Sequence, residues 1–291
     1  MAHPVIVGVD DPASAGDAVD WAADEAQLRG VRLHLVHAWL WEPHQAPESL
    51  DAQALRRAGE RVLSVMAQRA ADRHPGLEIS TGVVDSSARA ALLALSGAAG
   101  PLVMGARGSG GFPGLLVGST TLHVAAHAAS PVVVVRGLGG GAMAVGGGGR
   151  SGVVVGVDGR EPSPGLLTFA FETARRRSLP LTALHTWSYP LALGPEHALP
   201  PVYEAGNVEA EEDRLLAGVL SDWRERYPDV PTSGQLVRSG PAKHLVDLSR
   251  THRLVVVGRH GEPHGPVARL GSVSQAVVHH AHCPVVVVPV G

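Results

Sequence analysis

Two glycine–serine constellations are the residues of this sequence whose types and spacing could do chemistry: Gly105-x2-Gly108-x9-Gly118-Ser119 and Gly258-x2-Gly261-x9-Gly271-Ser272. Each begins where a valine-rich run ends and an amphipathic stretch follows, so a strand should stop and a helix start there. Glycine at the carboxyl end of a strand permits positive φ and lets a ligand approach where a Cβ would stand. The exposed N–H groups of such a turn can cradle an anion. The closing glycine and serine open the next helix, where unpaired N–H groups and the positive dipole end favour phosphate and the hydroxyl can add a bond. The two ends of the motif thus make one anion site. The residues between, SGGFPGLLV in one and EPHGPVARL in the other, differ widely while the glycine spacing is kept. That favours a ligand cradle over glycines that only shape turns. No Walker A lysine is present, so an ordinary P-loop is excluded.

The motif occurs twice because the chain is one unit written twice. VIVGVD from Val5 recurs as VVVGVD from Val153, an offset of 148 residues that LVHAW and ALHTW share. From Gly105 to Gly258 the offset is 153, and SPVVVV and CPVVVV keep it. The extra residues fall in the second copy, where the Pro-rich run SYPLALGPEHALPP reads as a lengthened surface loop. Between the copies, GLGGGAMAVGGGGR reads as a flexible tether. The expected division is therefore a first domain over 1–137, a linker over 138–150 and a second domain over 151–291.

Within each copy, Val/Ile-rich runs alternate with amphipathic stretches, the pattern of βαβ units. The first copy predicts strands near 4–10, 31–38, 77–84, 101–105 and 131–136, with helices near 14–29, 51–73, 86–99 and 119–129. The second predicts helices near 163–177, 206–226, 240–251 and 271–282. Strands this apolar have both faces covered, so the fold class is α/β, two doubly wound five-stranded parallel-sheet, Rossmann-like domains in tandem. Asp10 and Asp158 close the first strands. If each first strand lies beside the fourth, aspartate and glycine loop meet at the switch point where such sheets bind ligands. There a carboxylate can accept from ribose hydroxyls or an adenine edge, or it can cap the next helix.

These features together resemble the universal stress proteins in their ATP-binding tandem form: the glycine motif, the VGVD first strand, the LVHAW-type second strand and the HAASPVVVV or HAHCPVVVV ending. The resemblance covers nearly the whole chain apart from the linker. It implies that Asp10 and Asp158 contact the adenosine and that Ala38 and Thr186 meet the adenine through main-chain atoms. Gly105, Arg107, Gly108, Gly118, Ser119 and Thr120 would surround ribose and phosphates, as would Gly258, His260, Gly261, Gly271, Ser272 and Val273 in the second domain. Gly8, Val9, Met104, Gly156, Val157 and Val257 complete the two expected sites. The implied ligand is ATP, with Mg2+ as its possible companion. Two positions depart from the pattern: Asp11 stands where a glycine often follows, and Pro263 with Pro266 stiffens the second loop. The resemblance also makes Pro131 to Val135 and Pro284 to Val288 sheet edges that cover one another as an intramolecular pseudo-dimer, leaving other faces for a homodimer.

Composition bounds the partners. The chain has 291 residues, 45% hydrophobic, with a net charge of -3, and nothing basic enough to grip nucleic acid. No apolar run approaches a membrane span and the first residues lack a secretory layout, so a cytoplasmic location is expected. Cys283 reads as a packed small hydrophobe. His279, His280 and His282, and His123 with His127 at helical spacing, lack a supporting carboxylate or cysteine set, so no metal site is expected. Trp21, Trp39, Trp41, Trp187 and Trp223 read as core or loop packing. The leading function is a stress or signalling protein in which nucleotide occupancy biases conformation or partner choice. The alternatives are a slow ATP hydrolase or adenylyl-transferring enzyme, and an interaction module with empty sites. No catalytic residue is expected, since neither an HxGH nor an SGGxDS-type motif is found.

Overall fold

Each valine-rich run becomes a strand and each amphipathic stretch a helix. A computed structural model describes residues 3–39, 52–98, 100–108, 116–137, 151–188, 202–260 and 270–290. The first unit runs β1 (Val5–Gly8), α1 (Pro12–Arg29), β2 (Leu33–Ala38), α2 (Ala52–Arg73), β3 (Ile79–Val84), α3 (Ala88–Ser96), β4 (Leu102–Gly105), α4 (Ser119–His127) and β5 (Val132–Val135). The second runs β6 (Val153–Gly156), α5 (Pro164–Arg176), β7 (Leu181–Trp187), α6 (Val202–Arg226), β8 (Thr232–Arg238), α7 (Pro241–Leu248), β9 (Leu254–His260), α8 (Ser272–His280) and β10 (Val285–Val290). The linker over 138–150, most of the Pro-rich run (189–201), Trp41, Gly261, Pro263 and Pro266 lie outside the described residues. Among the described residues no helix is long and apolar enough to cross a membrane.

The strands form one sheet in the order β3-β2-β1-β4-β5-β10-β9-β6-β7-β8. All neighbours are parallel except the central pair, β5 and β10, which run antiparallel with Val133 opposite Val286. The last strands thus cover each other's edges, as the apolar PVVVV runs require. The two-residue period of a strand then divides the valines between faces. Val133 and Val286 pack with Trp21 of α1 and Phe171 of α5. Val132, Val134, Val285 and Val287 pack with Val124 of α4 and Val277 of α8. Which face each valine takes is a matter of register that the run of identical residues leaves open.

Polar contacts among the described residues also cross the junction. Arg136, just after β5, donates to the Val278 carbonyl at 2.5 Å and to that of His279, both in the last turn of α8. Arg259 of β9 donates at 2.8 Å to the Ala128 carbonyl at the end of α4. A guanidinium at a helix C-terminus meets unpaired carbonyls and the negative dipole end. Each unit therefore caps the last helix of the other. On the opposite face, buried Glu25 of α1 accepts from Arg177 Nη2 at 2.5 Å.

Candidate functional site

In both units the first and fourth strands lie side by side, β1 beside β4 and β6 beside β9. Their carboxyl ends open into one cavity per unit. The first, of about 490 Å³, is lined by Gly8, Val9, Asp10, Ala38, Met104, Gly105, Arg107, Gly108, Gly118, Ser119 and Thr120, together with Val36, Ala88, Leu92 and Thr121. The second, of about 450 Å³, is lined by Gly156, Val157, Asp158, Thr186, Val257, Gly258, Gly271, Ser272 and Val273, with Glu161, Ser163, His185 and Leu245 among the additions. Gly261 lies outside the described residues, and His260 stands in the β9 ladder opposite Val290.

Hydrogen bonds repeated in both copies hold these walls. Thr121 Oγ1 donates to the Gly105 carbonyl at 2.9 Å, and Ser274 Oγ to the Gly258 carbonyl at 2.7 Å, tying each helix start to its strand. His37 Nδ1 lies 2.8 Å from the Val9 carbonyl and His185 Nδ1 3.1 Å from that of Val157, fixing the loop after each first strand. Leu92 and Leu245 form matching floors. A Cβ on Gly8 would lie 3.3 Å from Leu92 Cδ1, and one on Gly156 3.3 Å from Leu245 Cδ1. The sequence reading missed both leucines, although the 153-residue offset pairs them.

Helices α4 and α8 begin at Gly118 and Gly271, and neither has a side-chain cap. By contrast α1, α3 and α5 are capped by Asp11, Ser87 and Ser163. A glycine N-cap leaves the first-turn donors without a side-chain acceptor, so these two helix starts keep their anion-attracting character. Asp10 and Asp158 are not the caps of their helices. Asp11 caps α1 through Ala13 N at 2.8 Å and Ser14 N at 3.2 Å. Burial pushes the Asp11 carboxyl up, but the Ser14 hydroxyl and these two N–H groups hold it below its ordinary value. Asp10 Oδ1 accepts from the Ser14 hydroxyl at 2.7 Å and from Asp11 N at 2.9 Å. Asp158 Oδ1 accepts from Arg160 N at 2.9 Å and Glu161 N at 3.3 Å, a local turn of the kind aspartate favours.

Two expectations are corrected. The described motif glycines, Gly105, Gly108, Gly118, Gly258 and Gly271, do not supply positive φ: among the described glycines that conformation occurs at Gly30, Gly76 and Gly152. Their service is close approach. A Cβ on Gly105 would lie 3.1 Å from the Arg107 carbonyl oxygen, and one on Gly108 2.4 Å from Asp10 Oδ2. Nor does Gly258 end its strand, since β9 runs on to His260 because β10 is long enough to pair with it through Val290. The units also differ beneath the second-strand histidine. In the second, buried Glu212 takes His185 Nε2 at 2.7 Å and Arg160 Nη2 at 2.6 Å. The hydrogen bond from His185 and the Arg160 charge hold the Glu212 carboxyl below its ordinary value against the opposing effect of burial. In the first, Gly59 packs so near His37 that a Cβ would lie 2.6 Å from the ring.

Trp21 and Trp187 are buried, and Trp223 stacks on Phe171 and Tyr227 at 5.4 and 5.9 Å, so these three are packing residues. The His123 and His127 rings stack at 4.3 Å. Cys283 is fully buried.

The family model described as the universal stress protein family matches residues 1–136 and again 150–289. The chain is 35% identical over 295 aligned positions to a universal stress protein of Mycolicibacterium smegmatis, covering 98% of this chain and 97% of that one. It is 36% identical over 305 positions to a universal stress protein of Mycobacterium tuberculosis, covering 97% and 94%. Among solved structures, a universal stress protein from Archaeoglobus fulgidus shares the fold with a TM-score of 0.64 at 15% identity, covering 98% of this chain and 96% of that one. A Pseudomonas aeruginosa protein does so with a TM-score of 0.66 at 14% identity, covering 99% and 93%. Matched twice along nearly its whole length, this chain belongs to the universal stress protein family, as a tandem of two such domains.

Proposed function

We propose that the protein is a cytoplasmic stress-response or signalling protein whose two units, 1–137 and 151–291 about the 138–150 linker, each hold one adenine nucleotide, ATP in the first instance. The observation that carries this reading is the duplicated meeting of an uncapped helix start with a glycine loop above an apolar slot. Each cavity falls in the range of small-molecule sites, about 300–1,000 Å³. Val36, Leu92 and Met104 offer a flat apolar bed for adenine, and the main chain at Ala38 and Thr186 offers donors and acceptors to its edge. The Asp10 and Asp158 carboxylates suit ribose hydroxyls. The α4 and α8 starts, with Ser119, Thr120 and Ser272, suit the phosphates. Mg2+ takes oxygen ligands and is usually shared with substrate phosphates. Here the acidic lining residues are Asp10 in the first pocket and Asp158 with Glu161 in the second. Occupancy would bias conformation or partner choice through the junction, because Arg259, which caps α4 of the other unit, adjoins Gly258.

Isothermal titration with ATP tests this, with two equivalents expected per chain. Gly118→Val is the discriminating variant. A Cβ there has nothing nearer than the Ala106 carbonyl oxygen at 3.7 Å, and one on Gly271 meets nothing within 4 Å. Each position therefore has room for a Cβ within the protein, and valine branches at the helix start should obstruct a ligand, so each substitution should remove one equivalent. A folded wild type that binds none, or variants that keep both equivalents, would overturn the reading.

A further inference from the structure

A separate cavity of about 940 Å³ lies at the junction of the two units. It shares only Arg107 with the first pocket and nothing with the second. Its lining gathers basic side chains from both units: Arg107 and Arg136 from the first, and Arg250, His279, His280 and His282 from the second. Arg69 also lines it, but both oxygens of Asp20 hold its guanidinium at 2.7 Å. Asp17 is the one carboxylate among the described lining residues. Arg250 stands near enough to Asp247 for its charge to help hold that carboxyl below its ordinary value, after the hydrogen bond from Lys243. Arg136 spends its Nη2 on the α8 carbonyls, while its buried Nε has no hydrogen-bond partner.

These basic groups also burden one another. Burial first, and then Arg107, hold Arg136 below the ordinary arginine range. Burial first, and then His280 and Arg136, hold His279 below the ordinary histidine range. A protein that crowds like charges into one cavity raises the local concentration of anions there. The α1 start that borders the cavity is already capped by Asp11, so the cation cluster and not the helix makes the case.

We propose that the junction cavity is an anion site for a phosphate-rich ligand of the oligophosphate class, held between Arg107 and Arg136 of one unit and Arg250, His279 and His280 of the other. Guanidinium forks match phosphate oxygens, and charges spread over both walls call for more than one negative charge on the ligand. The volume, about twice that of either glycine pocket, accommodates several phosphates. Such a ligand would bridge the units, and through Arg107 it would bear on the first pocket. This site stands whether or not the glycine pockets bind nucleotide.

The test is equilibrium binding of tripolyphosphate to the full chain at fixed salt, in a Gly118→Val/Gly271→Val background that keeps the probe out of the glycine pockets. One equivalent should bind. Adding Arg250→Gln with His280→Gln, both exposed positions, should weaken binding at least tenfold and leave the melting temperature unchanged. Competition by ATP in the same background separates a nucleotide's phosphate tail from a free oligophosphate as the ligand. No binding in the glycine-blocked background, or binding undiminished by the Arg250 and His280 substitutions, overturns the proposal.

Discussion

Glu25 carries the sharpest test of how the two units are joined. It lies on α1 at 1% exposure and accepts from Arg29 Nε and from Arg177 Nη2, each at 2.5 Å. Arg177 also stands 5.1 Å over the Trp21 ring, and Arg29 5.5 Å over that of Phe169. Glu25→Ala would leave two guanidinium groups facing each other in a dry junction. Removing one partner of a buried ion pair costs about 3–5 kcal/mol, and with two cations left uncompensated we expect about 4 kcal/mol. At about 2 °C per kcal/mol for a chain of this size, the melting temperature should fall by about 8 °C. Calorimetry measures this. In a Glu25→Leu background, Arg177→Met should restore part of the loss, because an apolar pair of similar volume replaces an orphaned charge. The acid limb gives an independent reading. Burial alone pushes the Glu25 carboxyl up, but Arg177 and Arg29 outweigh it and hold it below the ordinary 4.5. Its contribution is therefore complete above that value and fades as the pH drops through the lower folded-state value. The advantage of the wild type over Glu25→Gln should shrink accordingly on acidification. A Glu25→Ala cost below about 1 kcal/mol, or Glu25 and Arg177 effects that simply add, would refute the argument.

Gly108→Ala places a Cβ 2.4 Å from Asp10 Oδ2, so the carboxylate must move. Titration calorimetry should show the first nucleotide site weakened about tenfold, with the second unchanged, the scale of one lost hydrogen bond to a charged group. Val133→Asp buries a carboxylate at the centre of the β5–β10 pair, where the valine has no exposure. It should destabilise the chain by more than about 4 kcal/mol, read by urea unfolding, with an increased radius of gyration in small-angle scattering as the units part. Glu212→Ala removes the shared acceptor of His185 and Arg160. It should cost about 1.5–3 kcal/mol and alter nucleotide affinity at the second pocket alone, which site-resolved NMR titration would separate.

Much of this protein was legible in the chain itself. Short-range order is written in periodicity and in residue types that tolerate few conformations, so the strands, helices and duplication could be read from Val5 to Val288. The glycine spacing and the first-strand aspartates marked residues that converge on the first cavity, because a doubly wound sheet brings the ends of β1 and β4 together whatever fills the loops. Other features arose only when distant segments met. The floor leucines Leu92 and Leu245 come from helices packed beneath the sheet. The service of Gly105 and Gly108 lies in the approach of neighbouring atoms rather than in their own dihedral angles. A run of four valines has no preferred face until register is chosen, and the antiparallel meeting of β5 with β10 chose it for Val133 and Val286. That same long-range pairing brought Arg136 to α8, Glu25 to Arg177 and basic side chains of both units to one cavity, contacts that no local pattern encodes because the two units' contributions lie more than a hundred residues apart.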